Sequence, residues 1–155
     1  MSTRPSALVT GSTSGIGLGI ARAFAQSGYN VTLNGLGDAV EIESTRKGLE
    51  TETGMVVRFS GANMLDPAAI AKLIDGRVET QGGIEVLVNN AGIQYVAPVE
   101  EFPVEKWDAI IGINLSSAFH TVRAAIPHMK KAGFGRIINL ASAHGLVASE
   151  YKSAY

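Results

Sequence analysis

The chain has 155 residues, of which 46% are hydrophobic and 17% charged, with a formal net charge of −1 and no cysteine. That much apolar material in one domain length supports a real core and excludes a disordered chain. Near-neutrality gives no electrostatic basis for nucleic acid or an anionic membrane as partner, and the lack of cysteine excludes a disulfide framework and thiolate metal sites.

Short apolar runs alternate with longer amphipathic ones. Ala7 to Thr10 reads as a buried strand, followed by a glycine-rich loop and a helix from about Gly15 to Ser27 that Gly28 can stop. Val31 to Asn34 is a second strand, Ala39 to Thr53 a second helix, and Met55 to Phe59 a third strand. Asp66-Pro67 then opens a helix, with the acid as cap and proline in the first turn. Val86 to Asn89 is a fourth strand, 104–131 one long helical stretch with room for a bend, and Arg136 to Leu140 a fifth strand. Strands alternating with helices of this length imply βαβ units on a parallel sheet. The expectation is a single α/β domain over residues 1–155, doubly wound and Rossmann-like, in three α/β/α layers. No apolar run approaches the roughly 18–20 residues of a membrane span, and the opening residues lack a signal-peptide core. A soluble, cytoplasmic protein is expected, with no membrane partner. No histidine–carboxylate cluster has metal-ligand spacing, so no metal is expected.

Gly11, Thr13, Ser14, Gly15, Ile16 and Gly17 join the first strand to the first helix. Glycines there permit a tight turn and close approach of a pyrophosphate to the backbone, and a helix N-terminus favours the diphosphate. The spacing is G-x-x-x-G-x-G. No lysine or arginine lies in residues 11–17, and Arg46 and Lys47 lie well along the second helix, so NAD is favoured over its 2′-phosphorylated form. Asp38 could hold ribose hydroxyls or cap the second helix; the sequence leaves both open.

This loop, Asn89-Asn90-Ala91-Gly92 after the fourth strand, Asn114, Ser142 and Tyr155 together resemble the short-chain dehydrogenase/reductase family, in order and over the whole chain. The resemblance implies a Tyr155 acid/base, a Ser142 that holds and polarises the substrate oxygen, and an Asn114 that orients a water. It places Leu36 over the adenosine and Asn90, Ala91 and Gly92 as the adenosine and ribose wall. Asn63-Met64 stands where the family commonly has an aspartate facing the adenine; Asn63 offers an amide oxygen instead. Gln94, Ser142, His144 and Lys152 are similar to the family members that act on D-3-hydroxybutyrate. Three donors at 94, 144 and 152 would suit a small carboxylate substrate, and acetoacetyl-thioester reductases and other short-chain alcohol dehydrogenases are the neighbouring readings.

The chemistry demands such a setting. A free tyrosine ionises near pH 10, and reaching the neutral range takes about 4 kcal/mol of phenolate stabilisation. In the family a lysine four residues after the tyrosine supplies part of it, and residue 159 lies beyond the 155. The resemblance therefore implies a chain truncated after the fifth strand, its C-terminal part missing. A protein ending there is expected to be unstable and nearly inactive, and the full-length protein to form a homotetramer. A non-catalytic dinucleotide-binding module is the reading from another class.

Overall fold

The computed structural model describes residues 4–155; Met1 to Thr3, part of the segment read as lacking a signal-peptide core, lie outside the described residues. Five parallel strands stand in the order β3-β2-β1-β4-β5. They are β1 (Ser6–Val9), β2 (Asn30–Asn34), β3 (Val57–Ser60), β4 (Val86–Asn89) and β5 (Arg136–Asn139). The helices are α1 (Gly15–Gln26), α2 (Ala39–Thr53), α3 (Pro67–Gln81), α4 (Val104–Ile110) and α5 (Ser117–Ala132). The expected doubly wound sheet is therefore present, with small boundary differences. Thr10, for example, lies past the end of β1, although its N–H still donates to the Val88 carbonyl at 3.0 Å.

Side chains alternate across the sheet, and the alternation builds two cores. Ala7 and Val9 of β1 and Val86 and Val88 of β4 pack with Ala21, Ala25 and Leu49 of α1 and α2. Leu8 and Leu87, pointing the other way, pack with Ile70, Leu73 and Ile74 of α3 and with Ala125 and Met129 of α5. All of these are buried. At about 1.5–3 kcal/mol per large apolar side chain, these two layers dominate the stability.

Helix starts follow from capping chemistry. Asp38 accepts from Val40 N and Glu41 N, which assigns it as the cap of α2. Asp66 accepts from Ala68 N and Ala69 N, with Pro67 in the first turn of α3. The long stretch expected over 104–131 is continuous, and its bend takes a specific form. Between α4 and α5, residues Ile111–Ser116 form one wide π turn. Gly112 leaves room there for Leu65, and the Ser117 hydroxyl donates back to Ile113 O at 2.5 Å.

Two features depart from the sequence reading. By length and composition the combined helix Val104–Ala132 would suffice to cross a membrane, contrary to the expectation that no run approaches this. Serine, asparagine and threonine interleave its apolar residues and hide that length in the sequence. Its Thr121, Ala125 and Met129 face is buried against α3 and β4. Second, Arg77 of α3 is only 3% exposed. Its Nη1 donates to Thr32 Oγ1 and Gln81 Oε1, while Nε and Nη2 have no partner among the described residues. Burial pushes the guanidinium down to about 10; Glu85 partly offsets this and Arg58 adds to it.

At the opposite edge, β5 pairs with β4 on one side only, and Ile137 and Ile138 are exposed.

Candidate active site

The glycine-rich loop leaves β1 and enters α1 at the C-terminal ends of the strands, where parallel α/β sheets bind ligands. Gly11 has φ +62°, and a Cβ there would lie 2.8 Å from the Ala91 Cα. A methyl at Gly17 would run into the Gly11 carbonyl and the Asn90 amide. Ser14, the N-cap residue of α1, makes no side-chain capping hydrogen bond. The first N–H groups of α1 therefore face outward unsatisfied by a cap, a setting that favours an anion. Gly15 and Ile16 are exposed at this turn, and Thr13 packs its side chain over Gly35.

Residues the sequence reading did not single out hold the loop in place. Buried Ser12 donates its hydroxyl to Val9 O at 2.6 Å and accepts from Asn34 N at 3.0 Å. The Asn34 carboxamide donates to Ser60 O and Ala62 O and accepts a long bond from Gly11 N. The Thr10 hydroxyl accepts from Asn90 N and Ala91 N, both at 3.0 Å. The available signal was polar residues at the ends of buried strands, where backbone groups leave the ladder and need partners.

On the adenosine side Leu36 is exposed. Asn63 accepts from Leu65 N through its Oδ1 at 3.0 Å, so the oxygen proposed to face an adenine also closes a local turn. Met64 needs correction: its side chain is 7% exposed and sits in the core with Leu8 and Ile70, which leaves only its backbone for a cofactor. Arg46, the nearest base along α2, binds Glu43 at 2.7 Å, Glu50 at 2.9 Å and the Val57 carbonyl. Those contacts hold Arg46 above its ordinary range and, through their hydrogen bond, pull Glu43 down to about 2. The guanidinium is turned toward β3 and away from the loop.

A cleft of about 470 Å³ opens at the ends of β4 and β5, lined by Ile16, Asn90, Ala91, Asn114, Ser142 and Tyr155 among others. The loop edge, the wall after β4, Ser142 and Tyr155 thus share one space. Ser142 caps the short turn Ala143–Gly145 and accepts from His144 N at 3.2 Å. With a lone pair so engaged, its hydrogen is free to donate into the cleft.

Asn114 sits in the π turn, and its carboxamide is engaged at both ends, accepting from Ile93 N at 2.8 Å and donating to Ile93 O at 2.9 Å. Its side chain therefore clamps the chain leaving Gly92. The Asn90 carboxamide is likewise committed, donating to Thr10 O and Gly11 O at 2.9 Å each, so it braces the glycine-rich loop, and Asn90 also lines the cleft.

Of the three donors expected to converge, His144 and Lys152 meet each other beside the Tyr155 ring, though neither lines the cleft. Lys152 Nζ lies 3.4 Å from His144 Nε2 and 5.9 Å from the centre of the Tyr155 ring, and the His144 ring stands 6.4 Å from it. An ammonium can only donate, so in this contact Lys152 is the donor. Gln94 is exposed on the loop after Gly92 and makes no hydrogen bond to this pair among the described residues; from the same loop Ala97 N donates to Tyr151 O at 3.0 Å.

Residues 5–155 match the family model described as short chain dehydrogenase. The chain is 54% identical over 149 residues to the D-beta-hydroxybutyrate dehydrogenase of Rhizobium meliloti (strain 1021), covering 96% of this chain and 58% of that protein. It is 56% identical over 151 residues to the protein of the same name from Cupriavidus necator, covering 96% and 57%. A crystal structure from Sinorhizobium meliloti 1021, described as a short-chain alcohol dehydrogenase, superposes with TM-score 0.91 at 34% identity, over 97% of this chain and 59% of that one. The chain thus spans a little over half the length of the proteins it matches.

Proposed function

The chain belongs to the short-chain dehydrogenase family, and from that premise we propose that the protein carrying it is an NAD-dependent oxidoreductase interconverting (R)-3-hydroxybutyrate and acetoacetate. The observation that carries the reading is the single cleft shared by Ser142, Tyr155 and the edge of the phosphate loop. The names of the two relatives above half identity support the substrate.

The residues present fit a dinucleotide. The uncapped start of α1, the Gly11 and Gly17 backbones pressed against the wall after β4, and exposed Ile16 and Leu36 form a surface that a Cβ or a cap would block. Arg46, spent on carboxylates, is not positioned to meet a 2′-phosphate. When bound, the nicotinamide supplies the hydride acceptor for the carbinol carbon. The chain's own residues handle the oxygen and the acid. Ser142 donates to the substrate oxygen, Tyr155 takes the hydroxyl proton during oxidation and returns it during reduction, and Lys152, oriented by His144, presents a cation to a carboxylate. Asn114 and Asn90 keep the wall and loop in register with these groups. The exposed apolar side chains Val104, Trp107 and Phe119 along α4 and α5 support assembly into a homo-oligomer, proposed as a tetramer. A cytoplasmic location belongs to the same proposal.

The test uses the protein at the full length of its relatives. Reduction of NAD by (R)-3-hydroxybutyrate is expected to exceed reduction of NADP and to exceed turnover of acetoacetyl thioesters and simple secondary alcohols. Replacing the acid/base as Tyr155→Phe is expected to lower kcat by about 10²–10⁴ with NAD affinity kept within about threefold. Preference for the thioester would move the reading to a 3-oxoacyl reductase; NAD binding without turnover of any alcohol would leave a non-catalytic module.

A further inference from the structure

Asn89 and Asn90, neighbours at the end of β4, brace opposite sides. Asn90 reaches toward β1, where its carboxamide and the backbone beside it take up Thr10 and Gly11. Asn89 reaches the other way. Its Nδ2 donates to Asn139 Oδ1 on β5 at 2.8 Å, and its Oδ1 accepts from the Thr121 hydroxyl of α5 at 2.7 Å. Thr121 is fully buried and Asn89 is 8% exposed. Asn89 and Asn139 are also direct partners in the β4–β5 register, and Leu140 N donates to Asn89 O at 2.9 Å. Ser142 follows Asn139 by three residues. Thr121 lies one turn beyond Ser117, whose hydroxyl ties α5 to the π turn holding Asn114.

A valine and two leucines would fill such a place at lower desolvation cost. What they would lack is direction. Apolar contact tolerates a slide of one strand past another, whereas carboxamide and hydroxyl bonds hold at one height only. A slide would carry Ser142 away from the wall built by Asn90, Ala91 and Gly92.

We propose that Thr121, Asn89 and Asn139 form a positioning lock for the oxidoreductase reaction assigned above, on which this inference rests. The lock holds the ends of β4, β5 and α5 at one height, so that the Ser142 hydroxyl meets the substrate oxygen beside the cofactor wall. These are positioning residues, acting through Ser142 and the chain that carries it. The lock also joins the two halves of the site. The phosphate loop hangs on Asn90 and the serine strand on Asn89, so one dipeptide sets both.

The experiment compares Thr121→Val, Thr121→Ser and Asn139→Ala in the full-length enzyme, reading kcat, KM for NAD and for the hydroxy acid, and Tm. Thr121→Val keeps the shape and removes the hydroxyl; it is expected to lower kcat about tenfold, measured well below its Tm, with KM for NAD within about twofold. Thr121→Ser, which restores the hydroxyl, is expected to recover kcat to within about twofold. Asn139→Ala, which removes the partner that accepts from Asn89 Nδ2, is expected to repeat the kcat loss. A lowered Tm with kcat unchanged in both Thr121→Val and Asn139→Ala would make the network structural only and overturn the lock. So would a Thr121→Ser variant as impaired as Thr121→Val. An active wild type with unaffected variants overturns the lock alone, whereas a wild type that oxidises no alcohol overturns the lock together with the function.

Discussion

The start of α1 and Arg77 both have N–H donors without a side-chain partner among the described residues, and they differ in what surrounds them. At the start of α1 the donors face the cleft side, because Ser14 makes no capping bond and glycines keep side chains away. At Arg77 the unpartnered Nε and Nη2 are sealed beneath α3, against β2. The first arrangement can be completed by a ligand, so its open donors count toward binding. The second lies on atoms that are themselves buried and counts against stability. An unsatisfied donor becomes a binding site only when it is also accessible.

The largest expected effect is at the accessible end. Gly17→Ala sets a methyl against the Gly11 carbonyl and the Asn90 amide, both fixed by further hydrogen bonds, so the loop must shift. NAD affinity, measured by fluorescence titration of the full-length protein, is expected to fall about a hundredfold, although alanine is by about 1 kcal/mol the better helix residue. Unchanged affinity would show that the dinucleotide does not lie on this turn.

The sealed end is tested by Arg77→Met, which removes the buried charge and keeps most of the side chain's reach. Stability is expected to rise by about 2 kcal/mol in denaturant titration at neutral pH. The pH dependence has a definite sign. Arg77 is held at about 10, below its ordinary value, so the fold disfavours its charged form. That cost is present below pH 10 and fades as the pH rises through it, because the folded guanidinium then gives up its proton before the unfolded one does. The advantage of Arg77→Met should therefore hold up to about pH 10 and shrink above it. An advantage that stays constant, or a net loss of stability, would mean that the bonds to Thr32 and Gln81 outweigh the desolvation.

The same distinction explains what was legible in the sequence. The parallel sheet and its two helical layers were open to reading, because Ala7-Leu8-Val9 and Val86-Leu87-Val88 are runs that both faces of a parallel sheet bury. The loop, Ser142 and Tyr155 were legible because their spacing is fixed by elements that the pattern itself marks. Arg77 was not, since a charged residue in a helix reads as solvent-facing until the sheet is placed against it. Thr10, Ser12, Asn34, Thr121 and Asn139 were missed for a related reason. Each acts by bonding across elements distant in sequence, as Thr121 does with Asn89. The wide turn around Asn114 was visible only as a possible bend, because π geometry leaves no residue signature beyond a glycine and polar neighbours.

The smallest effect comes from the capped helix, the counterpart to α1. Asp66→Ala removes the oxygen that accepts from Ala68 N and Ala69 N, leaving α3 with open donors of the kind α1 already has. A stability loss of about 1 kcal/mol is expected by denaturant titration. Open donors alone, however, should not create a second anion site. Asp66 precedes a proline that offers no N–H, and the turn from Asn63 to Asp66 lacks the glycine-lined approach that Gly11 and Gly17 provide. NAD affinity in Asp66→Ala should stay within about twofold of wild type, with no saturable second binding phase. A second phase there would show that an uncapped helix end suffices to bind the dinucleotide, and that the close backbone approach at Gly11 and Gly17 is dispensable.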